Sequence, residues 1–255
     1  MLLAIDTGNT QTHIGMFEGE ELVEHWRLAT EREATADKLA TVLSNLLGLR
    51  DLRLRDIDAA IVSSVVPVLG HEYEQVSERY LGGALELVGP ELGTGMPIRM
   101  DNPHEVGADR LVNAVAAYEH TGGAAIVADF GTSINFDVVS SSGEYLGGVL
   151  APGVEISIEA LAQRAARLFK VDLDPPRQVI GKNTAAALQS GLIFGFAGMV
   201  DNILRCLREE LGEEPTTIAT GGLAEPIVPF CEEIDETDDL LTLKGLRLIW
   251  ERNRA

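Results

Sequence analysis

Leu2-Leu3-Ala4-Ile5-Asp6-Thr7-Gly8-Asn9-Thr10 and Ala124-Ala125-Ile126-Val127-Ala128-Asp129-Phe130-Gly131-Thr132-Ser133 follow one pattern: a short apolar run, then Asp-x-Gly with hydroxyl residues beside it. An apolar run of this length, bounded by turn residues, reads as a buried strand. Each copy continues alike. After the first, Thr12, Ile14 and Met16 make a second strand, Glu18-Gly19-Glu20 a turn, and Leu22, Val23, Trp26 and Leu28 a third strand. After the second, Asn135, Phe136, Val138 and Val139 lead to the turn Ser141-Ser142-Gly143-Glu144 and a strand from Tyr145 to Leu150. Between the copies, Leu39, Val42, Leu43 and Leu46 recur at helical spacing behind the cap candidate Thr35. A strand over 58–66 runs into Pro67, and a helix covers 70–81. Internal repetition outweighs any single motif. It predicts an α/β fold of two related halves with mixed sheets flanked by helices, facing each other across an inter-domain cleft. The helix expected from Ala108 to about His120 joins them, which puts the domains at 1–115 and 116–255.

Composition narrows the function. The 255 residues are 45% hydrophobic and 24% charged, as in an ordinary globular protein. No uninterrupted apolar run reaches the ~18–20 residues of a membrane span, and Asp6 interrupts the N-terminal run, so no membrane role and a cytoplasmic location are expected. Cys206 and Cys231 lack metal-ligand spacing and are expected as reduced core thiols. A formal net charge of −20 repels phosphate backbones and argues against nucleic acid. An acidic chain that binds a polyanion such as ATP needs a divalent metal beside it.

The Asp6–Thr10 turn suits that task. Gly8 permits a tight turn and close approach of backbone N–H groups to phosphate, Thr7, Asn9 and Thr10 add donors, and Asp6 suits a hydrated Mg²⁺. Asp129-Phe130-Gly131-Thr132 is a second phosphate-loop candidate; no strand lysine or Gly-rich loop accompanies it, so its likeness to the protein-kinase Asp-Phe-Gly is coincidental. No Gly-x-x-x-x-Gly-Lys-Ser/Thr is present, which excludes a P-loop enzyme. Thr217 to Ala224 reads as a strand entering the pair Gly221-Gly222 and then a helix, a place where adenine or ribose can lie against backbone. Gly107-Ala108-Asp109-Arg110 opens the joining helix. Asp109 there is either a helix N-cap or the base that receives an alcohol's proton, and Arg110 offers a fork for carboxylate. With an ordinary carboxyl pKa such a base is weak and acts mainly by orienting the alcohol. The five histidines are scattered, and only His13 lies near the first turn.

Four segments in order, Asp6-Thr7-Gly8-Asn9-Thr10, Asn102-Pro103-His104-Glu105-Val106-Gly107-Ala108-Asp109-Arg110, Asp129-Phe130-Gly131-Thr132 and Gly181-Lys182-Asn183-Thr184, together resemble the type III pantothenate kinases from end to end. The resemblance implies two ribonuclease-H-like domains of the actin, acetate kinase and hexokinase superfold. It implies phosphorylation of pantothenate by ATP, the first step toward coenzyme A, with Mg²⁺ and a monovalent cation, K⁺ or NH₄⁺. On it, Asp109 is the catalytic base, and Gly107, Ala108, Asp109 and Arg110 form part of the pantothenate site. Asp6, Thr7, Gly8, Asn9, Thr10, Gln11, Thr12, His13 and Thr132 bind ATP, and Asp129 holds the monovalent cation. Thr184 matches a pantothenate contact made by the partner subunit of a homodimer. Met100 stands where the family often has tyrosine, so a pocket wall is expected without a phenol contact. Pro152-Gly153 also fits the family's pattern and is expected to shape the pocket floor.

Without the resemblance, the same residues allow a sugar, polyol or acetate kinase on this fold, a nucleotide-binding regulator without turnover, or an actin-like filament protein.

Overall fold

β1 (Leu2–Thr7) pairs antiparallel with β2 (Gln11–Glu18), which pairs antiparallel with β3 (Glu21–Ala29). Helix α1 (Ala36–Gly48) then carries the chain back, so that β4 (Ala59–Ser64) lies parallel to β1. Helix α2 (Pro67–Tyr80) returns it again to β5 (Ala84–Leu87), parallel to β4. Antiparallel neighbours need only turns, whereas parallel ones need crossovers, which the helices supply. The sheet order is β3-β2-β1-β4-β5. This computed structural model describes residues 1–81, 83–89, 93–165 and 168–254.

The second sheet repeats the first. After α3 (Ala108–Thr121) come β6 (Ala125–Phe130), β7 (Ser133–Val139) and β8 (Tyr145–Pro152) as successive antiparallel strands. Helices α4 (Val154–Arg164) and α5 (Thr184–Leu211) precede β9 (Thr216–Thr220), which lies parallel to β6. A short β10 (Glu236–Thr237) follows, and α6 (Leu241–Arg252) ends the chain. The order β10-β9-β6-β7-β8 is the first order with β6 in the place of β1. Even the register irregularities match, between Met16 and Phe17 and between Val138 and Val139. Gly19 and Gly143, in the turns that follow, both take positive φ, +61° and +77°.

Each sheet has its own core. Ile5, Ile14, Ala40, Leu43, Val62, Leu69 and Tyr73 belong to the first. Phe130, Phe136, Ile158, Ile193, Ala197 and Ile227 belong to the second. Contacts divide the chain into one unit of residues 1–96, 101–116 and 240–255, and another of 97–100 and 117–239. The terminal segment therefore departs from the simple split at 115: α6, expected with the second half, packs on the first. A Cβ on Gly15 would lie 2.9 Å from Leu243, and one on Gly245 would lie 2.3 Å from the Val112 carbonyl. Leu243, Leu246 and Ile249 are buried, so the apolar stripe of α6 is spent on the β1-β2 sheet and on α3.

Other local expectations change. Thr35 occupies the N-cap of α1 without a side-chain bond, and the Ala36 N–H donates instead to Glu72 at 2.6 Å. Pro67, read as a strand terminator, is the first residue of α2, where its missing N–H costs nothing. No helix follows Gly222: the segment forms turns and a short 3-10 turn at Val228–Phe230, because Pro226 and Pro229 break the hydrogen-bond ladder. Cys206 is exposed on α5 rather than in a core, and both cysteines are free. Burial, with the Asp201 charge second, pushes the Cys231 thiol up to about 12. Helix α5 is apolar and long enough by composition to cross a membrane, with a mean hydropathy of 1.3 over 18 residues. Leu192, Ile193, Ala197, Val200 and Leu204 nonetheless lie in the second core, and the buried Asp201 accepts the N–H groups of Glu232 and Glu233 at 2.9 and 3.0 Å.

Candidate active site

The β1-β2 turn exposes Asn9, Thr10 and Gln11, while Gly8 closes it by donating its N–H to the Gln11 carbonyl at 2.9 Å. A Cβ on Gly8 would stand 3.0 Å from that same oxygen, which favours glycine. Thr7 and Thr12 are buried and lie beneath the turn rather than on its open side. Asp6 is half-buried at the end of β1, in register with His13 on β2 and Ser63 on β4. Burial raises the Tyr73 phenol above its usual range, and the Asp6 charge adds to the rise. Burial, then the charges of Arg27 and His25, brings His13 down to about 4. His13 is therefore neutral near pH 7 and serves as a hydrogen-bonding group, not as a cation for phosphate. A cavity of about 200 Å³ in the same unit is lined mainly by apolar side chains such as Ile14, Leu28, Leu39 and Val42, with Thr12, Glu31 and Lys38 also on its wall.

The Asn-Pro lead-in has a structural reason. Asn102 accepts the His104 N–H at 3.2 Å and donates to Glu105 at 2.8 Å, and Pro103 begins the 3-10 turn Pro103–Glu105. Helix α3 starts at Ala108, so Asp109 sits inside its first turn rather than at the N-cap. Its Oδ1 accepts the Arg110 N–H at 2.9 Å. A Cβ on Gly107 would come within 2.4 Å of that oxygen, so glycine leaves room for the carboxylate. Burial pushes the Asp109 carboxyl above the ordinary range, opposed by the Arg110 N–H and then by its guanidinium. Asp109 is thus a stronger base than the sequence alone suggests.

In the second unit, the turn after β6 exposes Thr132. Gly221 takes φ +96°, and a Cβ there would meet Asp129 Oδ1 at 2.5 Å and the Phe130 backbone at 2.7 Å. Two segments read separately from sequence, Asp129 and the Gly221-Gly222 pair, are therefore in contact. Gly153 packs on the turn from behind: its Cβ would lie 2.1 Å from the Thr132 carbonyl oxygen. That tight fit makes Gly153, expected from the family's pattern to shape the pocket floor, a buttress of the turn. Met100 lies beside Gly147, with its Cγ 3.8 Å from where a Cβ would be. Asn183 caps α5 by accepting the Ala186 N–H at 2.8 Å, Gly181 allows backbone contact with Ala187, and Thr184 is exposed at the helix start.

Among the described residues no group of three or more His, Cys, Asp or Glu side chains forms a metal cage. A single carboxylate at Asp6, with the buried and unpartnered Ser63 hydroxyl in the adjacent register, fits a cation held chiefly by nucleotide phosphates and water.

A family profile described as type III pantothenate kinase matches residues 2–206. The type III pantothenate kinase of Streptomyces avermitilis is 53% identical over 261 residues, covering 99% of this chain and 98% of that protein. The one from Acidothermus cellulolyticus is 53% identical over 254 residues, covering 99% of each. Among solved structures, the ROK hexokinase from Thermus thermophilus aligns with a TM-score of 0.53 at 15% identity, over 100% of this chain and 99% of that one. The ethanolamine utilization protein EutJ from Carboxydothermus hydrogenoformans gives 0.57 at 12%, over 97% and 89%. These two likenesses show the shared actin-like fold.

Proposed function

The chain belongs to the type III pantothenate kinase family, and on that premise we propose that Asp109 is the base through which it transfers phosphate directly from ATP to the primary hydroxyl of pantothenate. The family's reaction is the phosphorylation of pantothenate in coenzyme A biosynthesis, with ATP and a divalent metal. The observation that carries the catalytic assignment is the place of the half-buried Asp109 in the first turn of α3, where Gly107 clears space for a carboxylate of raised basicity. A carboxylate of this kind orients the alcohol and takes its proton late, as the oxygen bonds to the γ-phosphorus and the ADP oxygen departs.

Gly107, Ala108 and Arg110 complete the pantothenate site on this reading, with Arg110 pairing the substrate carboxylate and Met100 an apolar wall. The exposed turn from Gly8 to Gln11 receives the phosphates, supported by Thr7, Thr12 and neutral His13, with Thr132, Gly221 and Gly222 as further nucleotide contacts. Asp6 holds Mg²⁺ through water, and a bound Mg²⁺ neutralises charge on the β- and γ-phosphates. Asp129 is assigned to a monovalent cation, K⁺ or NH₄⁺. We read the enzyme as a cytoplasmic homodimer in which Thr184 contacts the pantothenate of the partner subunit. The exposed apolar residues Leu150, Ile156, Leu161, Val179 and Ile180 of the second unit support a buried subunit interface.

A coupled ADP-release assay with pantothenate, ATP, Mg²⁺ and either K⁺ or Na⁺ tests the assignment. Turnover that requires pantothenate and K⁺ and collapses in Asp109→Asn is expected. Full turnover in the variant would remove Asp109 from the chemistry, and equal rates in Na⁺ would remove the cation assignment.

A further inference from the structure

Three consecutive carbonyls of the β1-β2 turn are held by one short segment, the link between β3 and α1. The Thr30 N–H donates to the Thr10 carbonyl at 2.9 Å, and the Thr30 hydroxyl donates to the Gly8 carbonyl at 2.9 Å. Arg32 donates from Nε and Nη2 to the Asn9 carbonyl, both at 3.2 Å. The Thr12 and Thr30 hydroxyls are 2.9 Å apart. A hydroxyl has one proton, and Thr30 gives its own to Gly8, so Thr12 is the donor in that pair. The buried Thr12 thereby fixes the rotamer of Thr30.

Among the described residues no peptide bond is cis. In a trans peptide the C=O and the following N–H point in opposite directions. Carbonyls of Gly8, Asn9 and Thr10 drawn toward Thr30 and Arg32 therefore turn the N–H groups of Asn9, Thr10 and Gln11 to the other side. Successive N–H groups on one side of a turn make an anion-binding concavity.

We infer that Thr30 and Arg32 are positioning residues for nucleotide binding, which hold the turn's carbonyls back so that its N–H groups meet the triphosphate. This rests on the reading that the turn receives ATP. The two residues touch the loop, not the reacting atoms, so they act on ATP affinity and leave pantothenate affinity alone.

The test uses the full-length protein with Thr30→Val, Thr30→Ser and Arg32→Gln, measuring the ATP Kd by calorimetry with Mg²⁺, KM for each substrate, and Tm. Loss of the hydroxyl in Thr30→Val removes its bond to Gly8 and its bond from Thr12, and is expected to weaken ATP binding about fivefold to tenfold, with the pantothenate KM within about twofold of wild type. Thr30→Ser keeps the hydroxyl and is expected to restore ATP binding to within about twofold, while exposed Arg32→Gln weakens it about threefold. If Thr30→Val fails to fold, Arg32→Gln carries the test alone. An unchanged ATP Kd with a lowered Tm, an equal rise in both KM values, or no rescue by serine would overturn the proposal. Wild type that binds ATP but does not turn over pantothenate would sink the substrate reading instead, and the ATP Kd ratios still decide the clasp.

Discussion

The β1-β2 and β6-β7 turns descend from one pattern but are held in different ways. The first is gripped by hydrogen bonds to three carbonyls, from the Thr30 and Arg32 side chains to Gly8 and Asn9 and from the Thr30 N–H to Thr10. The second is held by bare backbone: Gly153 lies against the Thr132 carbonyl and Gly221 against Asp129 and Phe130. A hydrogen bond lost to solvent costs about 1 kcal/mol, and the freed carbonyl can take a water. A methyl group forced against backbone has nowhere to go, and a positive φ adds strain. The first turn should therefore yield by degrees, and the second should fail abruptly.

Asp109→Asn, outside both turns, sets the upper end of the scale. We expect a kcat loss of about 10²–10⁴-fold with ATP binding intact, since neither turn is touched. The same variant should keep or raise the Tm at pH 7. Asp109's folded pKa is raised above 3.8, so the native state binds more protons there and stability falls as pH rises through that window, a cost that asparagine does not bear. A lowered Tm at pH 7 would contradict the burial argument.

Gly221→Ala comes next, with an expected destabilisation of roughly 1–3 kcal/mol and loss of K⁺-dependent activity. Denaturant melts measure the first and the ADP-release assay the second. If it behaved as mildly as Thr30→Val, the contrast between the turns would collapse. Gly153→Ala should match Gly221→Ala in stability, which sharpens the contrast by showing that both backbone contacts matter. The smallest effect concerns His13. Its folded pKa of about 4 lies below 6.5, so the unfolded state binds more protons between these values and stability is lost as pH falls through the window. His13→Gln should flatten the slope of Tm against pH there, and an unchanged slope would mean that His13 is not held neutral.

Much of this was legible locally. Strand, turn and strand around Asp6 and Asp129 show in alternation and in glycine placement, because a β-hairpin is built from neighbours in sequence. The Gly-Ala-Asp-Arg block announces a helix start for the same reason. Less visible were α6 and the clasp, since both depend on partners far along the chain. The stripe Leu243, Leu246 and Ile249 names a face, but nothing in it says that the face belongs on β1 and β2. Thr30 lies just past the third strand read from the sequence, and only the folded chain brings it to Gly8, 22 residues away.

By itself, then, the sequence determined the duplicated hairpin architecture, the family and the identity of the residues proposed for chemistry, because these rest on local spacing and residue type. The tertiary structure alone decided that α6 belongs with the first sheet, that Asp129 meets Gly221, that His13 is neutral and that Asp109 is a stronger base than a free aspartate. Packing partners and desolvation are properties of what surrounds a residue, and those surroundings exist only once distant segments have come together.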